Sequence, residues 1–142
     1  MSPELLLAIY GTLVAPVLIF FGNRINAAWV ARAARRRLVD NLAGLPYELK
    51  VPLVPYYVQG AHTLPGNPAE PAIDQLRHMG LVIIGRGRGS YDAVDAYVML
   101  RADVLPALAR LKRKDSAFAE LVDEYREFLA QEERDRIAGP KP

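Results

Sequence analysis

Near the N-terminus, 18 consecutive positions carry no charged side chain. This run, "LLLAIYGTLVAPVLIFFG", covers Leu5 to Gly22. As an α-helix it rises about 27 Å, which matches the hydrocarbon core of a bilayer. Pro16 lies within it, and membrane helices tolerate proline better than helices in water do. The pattern predicts a transmembrane anchor over residues 1–23, with a cleaved signal peptide and a buried helix of a soluble domain as the alternatives.

The positive charge that follows this run forms a topology signal. Residues 24–41 are predicted to form a basic juxtamembrane helix. By the positive-inside rule, the N-terminus lies outside and everything after Arg24 is cytoplasmic, as in a single-pass protein of the bacterial inner membrane. The stretch "ARAARRR" is alternatively a nucleic-acid-binding arm. Membrane lipid is the predicted contact of an aromatic residue and four arginines: Trp29, Arg32, Arg35, Arg36 and Arg37.

Gly44 and Pro46 in "LAGLP" interrupt the helical pattern and mark a predicted domain boundary. Helical spacing predicts a short or irregular helix over Tyr47 to Gln59, ended by Gly60, and "HTLPGNP" is predicted to be a loop. The segment "NPAEPAIDQLRHMG" predicts a helix that begins at Asn67–Pro68 or at Glu70 and stops at Gly80. Further elements follow from apolar runs and alternation: strands at Leu81 to Ile84 and Val94 to Leu100, and helices at Asp103 to Lys114 and Ser116 to Arg136.

This order of helix, loop, helix, two-stranded hairpin and helix is typical of a winged helix-turn-helix domain. The fold-class prediction is therefore mainly α with a small β-hairpin: a transmembrane helix, a winged-helix-like cytosolic domain at 42–114, and an acidic C-terminal helix and tail at 115–142. The helix between Glu70 and Met79 occupies the recognition position of that arrangement.

Charge is distributed unevenly along the chain. Arg24 to Lys114 holds 14 basic and 7 acidic residues, whereas Asp115 to Pro142 holds 4 basic and 8 acidic. A basic middle part suggests an anionic partner, or attraction between the two parts of the chain. The chain has no cysteine, which excludes disulfides and thiolate metal sites.

The segment "GRGRG" raises the question of a nucleotide-binding loop. Gly85, Gly87 and Gly89 give G-x-G-x-G rather than the dinucleotide fingerprint, and no Walker sequence follows. The glycines suit the tip of a hairpin instead. Nucleic-acid or partner contact is predicted for the basic residues of the recognition helix and of this tip: Arg77, His78, Arg86 and Arg88.

Enzymatic chemistry has little support in the sequence. His62 and His78 are the only histidines and lack metal-ligand spacing, so no metal and no cofactor is predicted. Asp92 and Asp95 are explained more simply as turn and strand residues than as paired carboxylates. The chain is predicted not to be an enzyme.

The last helix carries an apolar side at three- to four-residue spacing, opposite an acidic face. Packing on its own domain is one interpretation, and formation of a homo-oligomer or binding to an unknown protein partner is the other. The apolar side consists of Phe118, Leu121, Val122, Tyr125, Phe128 and Leu129.

Four segments together resemble the superinfection exclusion protein B family of prophages and bacteria. They are the N-terminal apolar segment, "LPYELKVPLVPYYVQGAHTL", "NPAEPAIDQLRHMGLVII" and "DAYVMLRADVLPAL", which together span roughly residues 1–114. The resemblance implies a membrane-anchored protein that blocks a competing phage, and it carries over no catalytic residue. Two further hypotheses are a membrane-tethered DNA-binding transcription regulator and an oligomeric structural module.

Overall fold

The computed structural model describes residues 2–86 and 96–139, with only the backbone of Arg86. The chain divides into two compact units, Met1–Arg37 and Leu38–Pro142. It is mostly helical with a small antiparallel sheet, as predicted. The helices are α1 Pro3–Ile9, α2 Ala15–Ala43, α3 Tyr47–Lys50, α4 Val54–Gln59, α5 Pro71–His78, α6 Val104–Lys114 and α7 Ser116–Ala138; the strands are β1 Thr63–Pro65, β2 Val82–Arg86 and β3 Ala96–Leu100.

A π-helical turn at Tyr10–Val14 joins α1 to α2, so that Pro3–Ala43 is one helix of 41 residues. Pro16 lies two residues after Val14, the last residue of this turn. Because proline has no amide hydrogen and its ring displaces the carbonyl four residues earlier, a locally wider turn accommodates it. The Thr12 hydroxyl donates to the Ala8 carbonyl at 2.6 Å in the same region. The predicted long apolar helix is confirmed: it has the length and composition needed to cross a membrane.

The compact second unit begins at Leu38, four residues before the boundary predicted from "LAGLP". Leu38, Val39 and Leu42 in the last turns of α2 are buried in the core. Gly44 and Pro46 do end the helix, but the helix contributes apolar side chains to the domain before it ends. Residues 38–41 therefore belong structurally with the domain rather than with the basic helix.

The segment 47–59 is helical but interrupted, as its prolines predict. A 3₁₀ turn at Val51–Leu53 separates α3 from α4, and Gly60 ends α4 in the left-handed region at φ 62°. The buried Tyr56 hydroxyl donates to the Val98 carbonyl at 2.9 Å, which ties α4 to the sheet. Burial raises the pKa of Tyr56 to about 12.

The sheet has three strands in the order β1-β3-β2, all antiparallel. The predicted hairpin corresponds to β2 and β3, with Val82 opposite Leu100 and Ile84 opposite Val98. The prediction that "HTLPGNP" is only a loop was wrong, because Thr63–Pro65 pairs with β3. Three residues that include a proline give no alternating pattern, and proline is acceptable here because β1 is an edge strand.

Two starts were predicted for the helix before β2, and the later one is nearer to the structure. α5 begins at Pro71, with Glu70 at the N-cap position. The Asn67 side chain accepts from the Ala69 amide at 2.9 Å and stabilises a separate turn. The helix ends before Gly80, whose φ of 73° is left-handed.

The C-terminal helix is partly a domain element rather than a separate acidic tail. Phe118, Leu121 and Val122 of α7 are buried in the same core as α2, α4, α6 and the sheet. Asp115 therefore marks the junction between two packed helices, not the end of the domain.

The architecture agrees with a winged helix only in part. The described residues place strand β1 between α4 and α5, so these two helices are not joined by the short turn of a helix-turn-helix unit, whereas the sheet order β1-β3-β2 is compatible with a winged domain. The finer winged-helix interpretation remains a prediction.

A largely buried ion pair joins the end of α3 to the start of α7. The Lys50 ammonium at the end of α3 donates to the Asp115 carboxylate at 2.7 Å, and the two side chains are only 10% and 16% exposed. Asp115 also accepts from the Ala117 amide at 3.1 Å and so caps α7. Hydrogen bonding from Lys50 holds the pKa of Asp115 below its ordinary value.

We predict that Asp115→Ala lowers the free energy of unfolding by about 2–4 kcal/mol, because it leaves the Lys50 ammonium buried without a partner and removes a helix cap. Lys50→Met is expected to cost less, since Asp115 keeps its cap. Denaturant unfolding of the full-length protein in detergent micelles, followed by circular dichroism, measures both. Asp123→Ala, which removes an exposed carboxylate from α7, is the matched control.

The pH dependence of the same measurement has a defined sign. Because the folded state lowers the pKa of Asp115, the ion pair stabilises fully above the ordinary aspartate value of about 3.9 and is lost as the pH falls through the folded-state value. An Asp115→Ala protein as stable as the Asp123→Ala control at pH 7 contradicts this role of the pair.

Candidate membrane-contact and partner-contact sites

The apolar part of the N-terminal helix has no protein around it in the part of the chain described. Eleven large apolar or aromatic residues between Leu5 and Phe21 are 41–73% exposed. Burying a side chain of this size is worth about 1.5–3 kcal/mol, so exposing the whole surface to water costs on the order of 10 kcal/mol or more. A surface of this kind needs an apolar environment.

The basic residues after the apolar run are exposed and available. Among the described residues, none of the arginines at 24, 32, 35, 36 and 37 forms an ion pair with a carboxylate. The Arg24 guanidinium lies 5.3 Å from the centre of the Phe20 ring, in a cation–π contact. Trp29 is 67% exposed. The predicted lipid-contact residues therefore lie together on one helix, directly after the apolar segment.

The arginines differ in their local surroundings. Ala28 and Ala31 form the floor of a shallow recess of about 300 Å³. Three of the five predicted lipid-contact residues line that recess, namely Trp29, Arg32 and Arg35. Arg36 and Arg37 do not contribute to it.

The basic residues predicted on α5 are partly neutralised by one carboxylate. The Arg77 guanidinium donates to Asp74 at 2.6 Å, and the His78 Nδ1 lies 2.8 Å from the Asp74 carbonyl oxygen and 3.5 Å from its carboxylate. Arg77 and His78 are both exposed, but their helix carries little net positive charge. The structure therefore brings these two predicted residues together without forming a basic surface.

The hairpin tip lies largely outside the described residues. The backbone of Arg86 ends β2 opposite Ala96. Arg88, the remaining glycines of "GRGRG", Asp92 and Asp95 fall in the segment 87–95. The predictions for these residues stay predictions.

Metal-ligating side chains do not cluster within residues 2–86 and 96–139, where no group of three or more His, Asp or Glu is close enough to hold an ion. His62 is exposed, and its carbonyl oxygen accepts from the Leu100 amide at 2.8 Å, which extends the β1–β3 pairing. Its role in the described structure is that of a strand-end residue.

Two features were missed from the sequence. One is the Lys50–Asp115 pair, whose partners are 65 residues apart. The other is a groove between α3 and α5 with an apolar floor that includes Leu49 and Pro71 and with carboxylates from Glu48 and Glu70. No local sequence pattern indicates that Lys50 pairs with Asp115, and none indicates that α3 and α5 form a groove.

The second half of α7 presents apolar side chains to solvent. Phe128 is 62% exposed and stacks on Tyr125, with ring centres 6.4 Å apart. Ile137 is 77% exposed. The first half of the helix packs on its own domain, as one interpretation predicted, while oligomerisation through the second half stays a prediction.

No family model, curated protein or solved structure matches this chain. The resemblance to the superinfection exclusion protein B family therefore stays a hypothesis, and the physical basis for a function lies in the geometry of the sites alone.

We predict that α5 does not mediate tight DNA binding, because Asp74 neutralises its basic end. In fluorescence anisotropy with a labelled duplex, the detergent-solubilised full-length protein should bind only with the salt-sensitive, non-specific affinity of roughly 10⁻⁴–10⁻⁶ M. Arg77→Ala should change that affinity no more than Arg113→Ala, an exposed residue near the end of α6, does. Tighter, sequence-dependent binding that Arg77→Ala abolishes would show that α5 is a recognition helix.

Proposed function

We propose that the chain is a single-span membrane protein that holds a non-enzymatic interaction domain at the membrane surface. The observation that carries the proposal is the exposed, uncharged helical surface over residues 5–22, followed at once by unpaired arginines in the described part of the chain. A bilayer supplies hydrocarbon to cover the uncharged helical surface and anionic headgroups to pair with the arginines.

The distribution of arginines supports an orientation with the N-terminus outside and the domain in the cytoplasm. Glu4 is the only charged side chain before the apolar run, whereas five arginines follow within 15 residues of Gly22. Such a bias within about 15–20 residues of a span retains that side in the cytoplasm. In a bacterium, this corresponds to the inner membrane.

The domain is suited to interaction rather than catalysis. Its described surface offers an acidic groove beside α3, exposed aromatic side chains on α7 and an apolar sheet face with Ile83 and Tyr97 about half exposed. Exposed apolar side chains of this kind are typical of protein-binding surfaces. Superinfection exclusion is the biological setting that the sequence resemblance suggests for such a tethered module.

A membrane-tethered DNA-binding regulator is the second candidate. Its support is the sheet order β1-β3-β2 with a helix directly before the β2–β3 hairpin, the position from which winged domains read DNA. The pairing of Arg77 with Asp74 argues against it. An unknown protein partner is therefore the better-supported ligand of the domain.

The cysteine-free chain allows a direct test of span and orientation. Ser2→Cys and Ser116→Cys each place one thiol at an exposed position on either side of the apolar run. In intact bacterial spheroplasts, a membrane-impermeant maleimide should label Ser2→Cys at once and Ser116→Cys only after permeabilisation. Both proteins should remain in the membrane fraction after an alkaline carbonate wash.

The outcomes separate the parts of the proposal. Recovery in the soluble fraction after the carbonate wash contradicts the span. Labelling of Ser116→Cys in intact spheroplasts, with Ser2→Cys protected, contradicts the orientation alone.

A further inference from the structure

The recess on α2 arises from residue spacing. Ala28, Ala31, Arg32 and Arg35 stand at positions i, i+3, i+4 and i+7, which lie on one side of an α-helix. The two alanines leave a depression, and the longer side chains around it form its walls. Arg36 and Arg37 come next in the sequence but lie outside these walls.

We infer that this recess is a binding site for the phosphate group of one anionic phospholipid. The guanidinium groups of Arg32 and Arg35 bind the phosphate oxygens, and the Trp29 indole packs beside the glycerol region. The inference rests on the proposed membrane span. It adds a defined ligand, and it assigns the binding of that ligand to Arg32 and Arg35 rather than to Arg36 and Arg37.

The guanidinium groups of Arg32 and Arg35 make phosphate the expected ligand of the recess. Guanidinium groups present several N–H donors in a planar fork that matches phosphate oxygens, often two at a time. Arg32 and Arg35 are separated by about 4.5 Å along the helix axis, so both can address one phosphate group. Neither forms an ion pair with a carboxylate in the described residues, so no internal anion occupies the place of the ligand.

The position of the recess, close to the end of the apolar segment, indicates that the phosphate belongs to a lipid. Trp29 stands seven residues after Gly22, which is about 10 Å of rise. Helical side chains tilt toward the helix N-terminus, here toward the apolar segment, so the Trp29 ring and the Arg32 guanidinium reach back to the headgroup layer. The recess is open to one side, so free phosphate would be held only weakly, whereas the bilayer keeps headgroups concentrated beside it.

Trp29 is the only tryptophan in the chain, so its fluorescence reports on this site alone. Full-length protein is reconstituted into phosphatidylcholine vesicles that contain spin-labelled phosphatidylglycerol or, at equal mole fraction, spin-labelled phosphatidylcholine, each labelled near the glycerol end of the acyl chain. The site predicts that labelled phosphatidylglycerol quenches Trp29 with an apparent affinity about fivefold higher than labelled phosphatidylcholine, the ratio expected from ~1 kcal/mol of electrostatic attraction.

Two double variants that remove the same charge show whether lipid binds at the recess or is attracted by the net positive charge of the helix. Arg32→Gln/Arg35→Gln should abolish the preference, whereas Arg36→Gln/Arg37→Gln, which removes the same charge outside the recess, should retain most of it. Equal quenching by the two lipids, or an equal loss in both double variants, overturns the inference.

Vesicle flotation and competition by inorganic phosphate show which part of the proposal is wrong if the lipid preference is absent. If the protein does not float with the vesicles on a density gradient, the membrane span itself is refuted. If it floats but shows no lipid preference, only the headgroup site is refuted. Excess inorganic phosphate should leave the preference unchanged, and its abolition by inorganic phosphate would show that the recess binds free anions rather than lipid.

Discussion

The hydrophobic surface of the N-terminal helix is the physical constraint that governs this protein. Between Leu5 and Phe21, no large side chain is buried by protein in the described structure. Water cannot accommodate such a surface without a free-energy cost comparable to the entire stability of a small domain. If a bilayer covers this surface, as proposed, the arginines after Gly22 lie at the level of the lipid headgroups.

In the second unit, about 100 residues stabilise a small sheet by packing helices around it. Its core includes side chains from helices α2 to α7 and from strands β2 and β3, and the partly buried Leu64 of β1 packs against it. The Lys50–Asp115 pair lies at the junction of α3 with the α6–α7 corner, and Asp115 serves at once as ion-pair partner and helix cap. One carboxylate therefore fixes both the end of α3 and the start of α7, which makes this corner sensitive to a single substitution.

Local patterns predicted local structure well and long-range structure poorly. The apolar run, the proline-interrupted helix at 47–59 and the stops at Gly60 and Gly80 follow from spacing and backbone preference alone. The strand Thr63–Pro65 was missed because its only reason to be extended is β3, more than thirty residues away. Arg77 and His78 were predicted as contact residues of the recognition helix, but their shared contact with Asp74 depends on rotamers that no sequence pattern reveals. The alanine–arginine spacing at 28–35 was available in the sequence, yet it becomes a candidate site only when the side chains are seen to form a recess.

The central claim is that a bilayer, not protein, covers the helix at residues 5–22. Amide hydrogen exchange of the full-length protein in lipid nanodiscs, resolved by mass spectrometry, tests it most directly, because the chain carries two internal references. Helix α6 is packed in the core, whereas the second half of α7 is helical and exposed to water. A bilayer-covered helix predicts that amides at 5–22 exchange as slowly as those of α6, although no protein buries them. Exchange at 5–22 as fast as in the second half of α7 would contradict the membrane span.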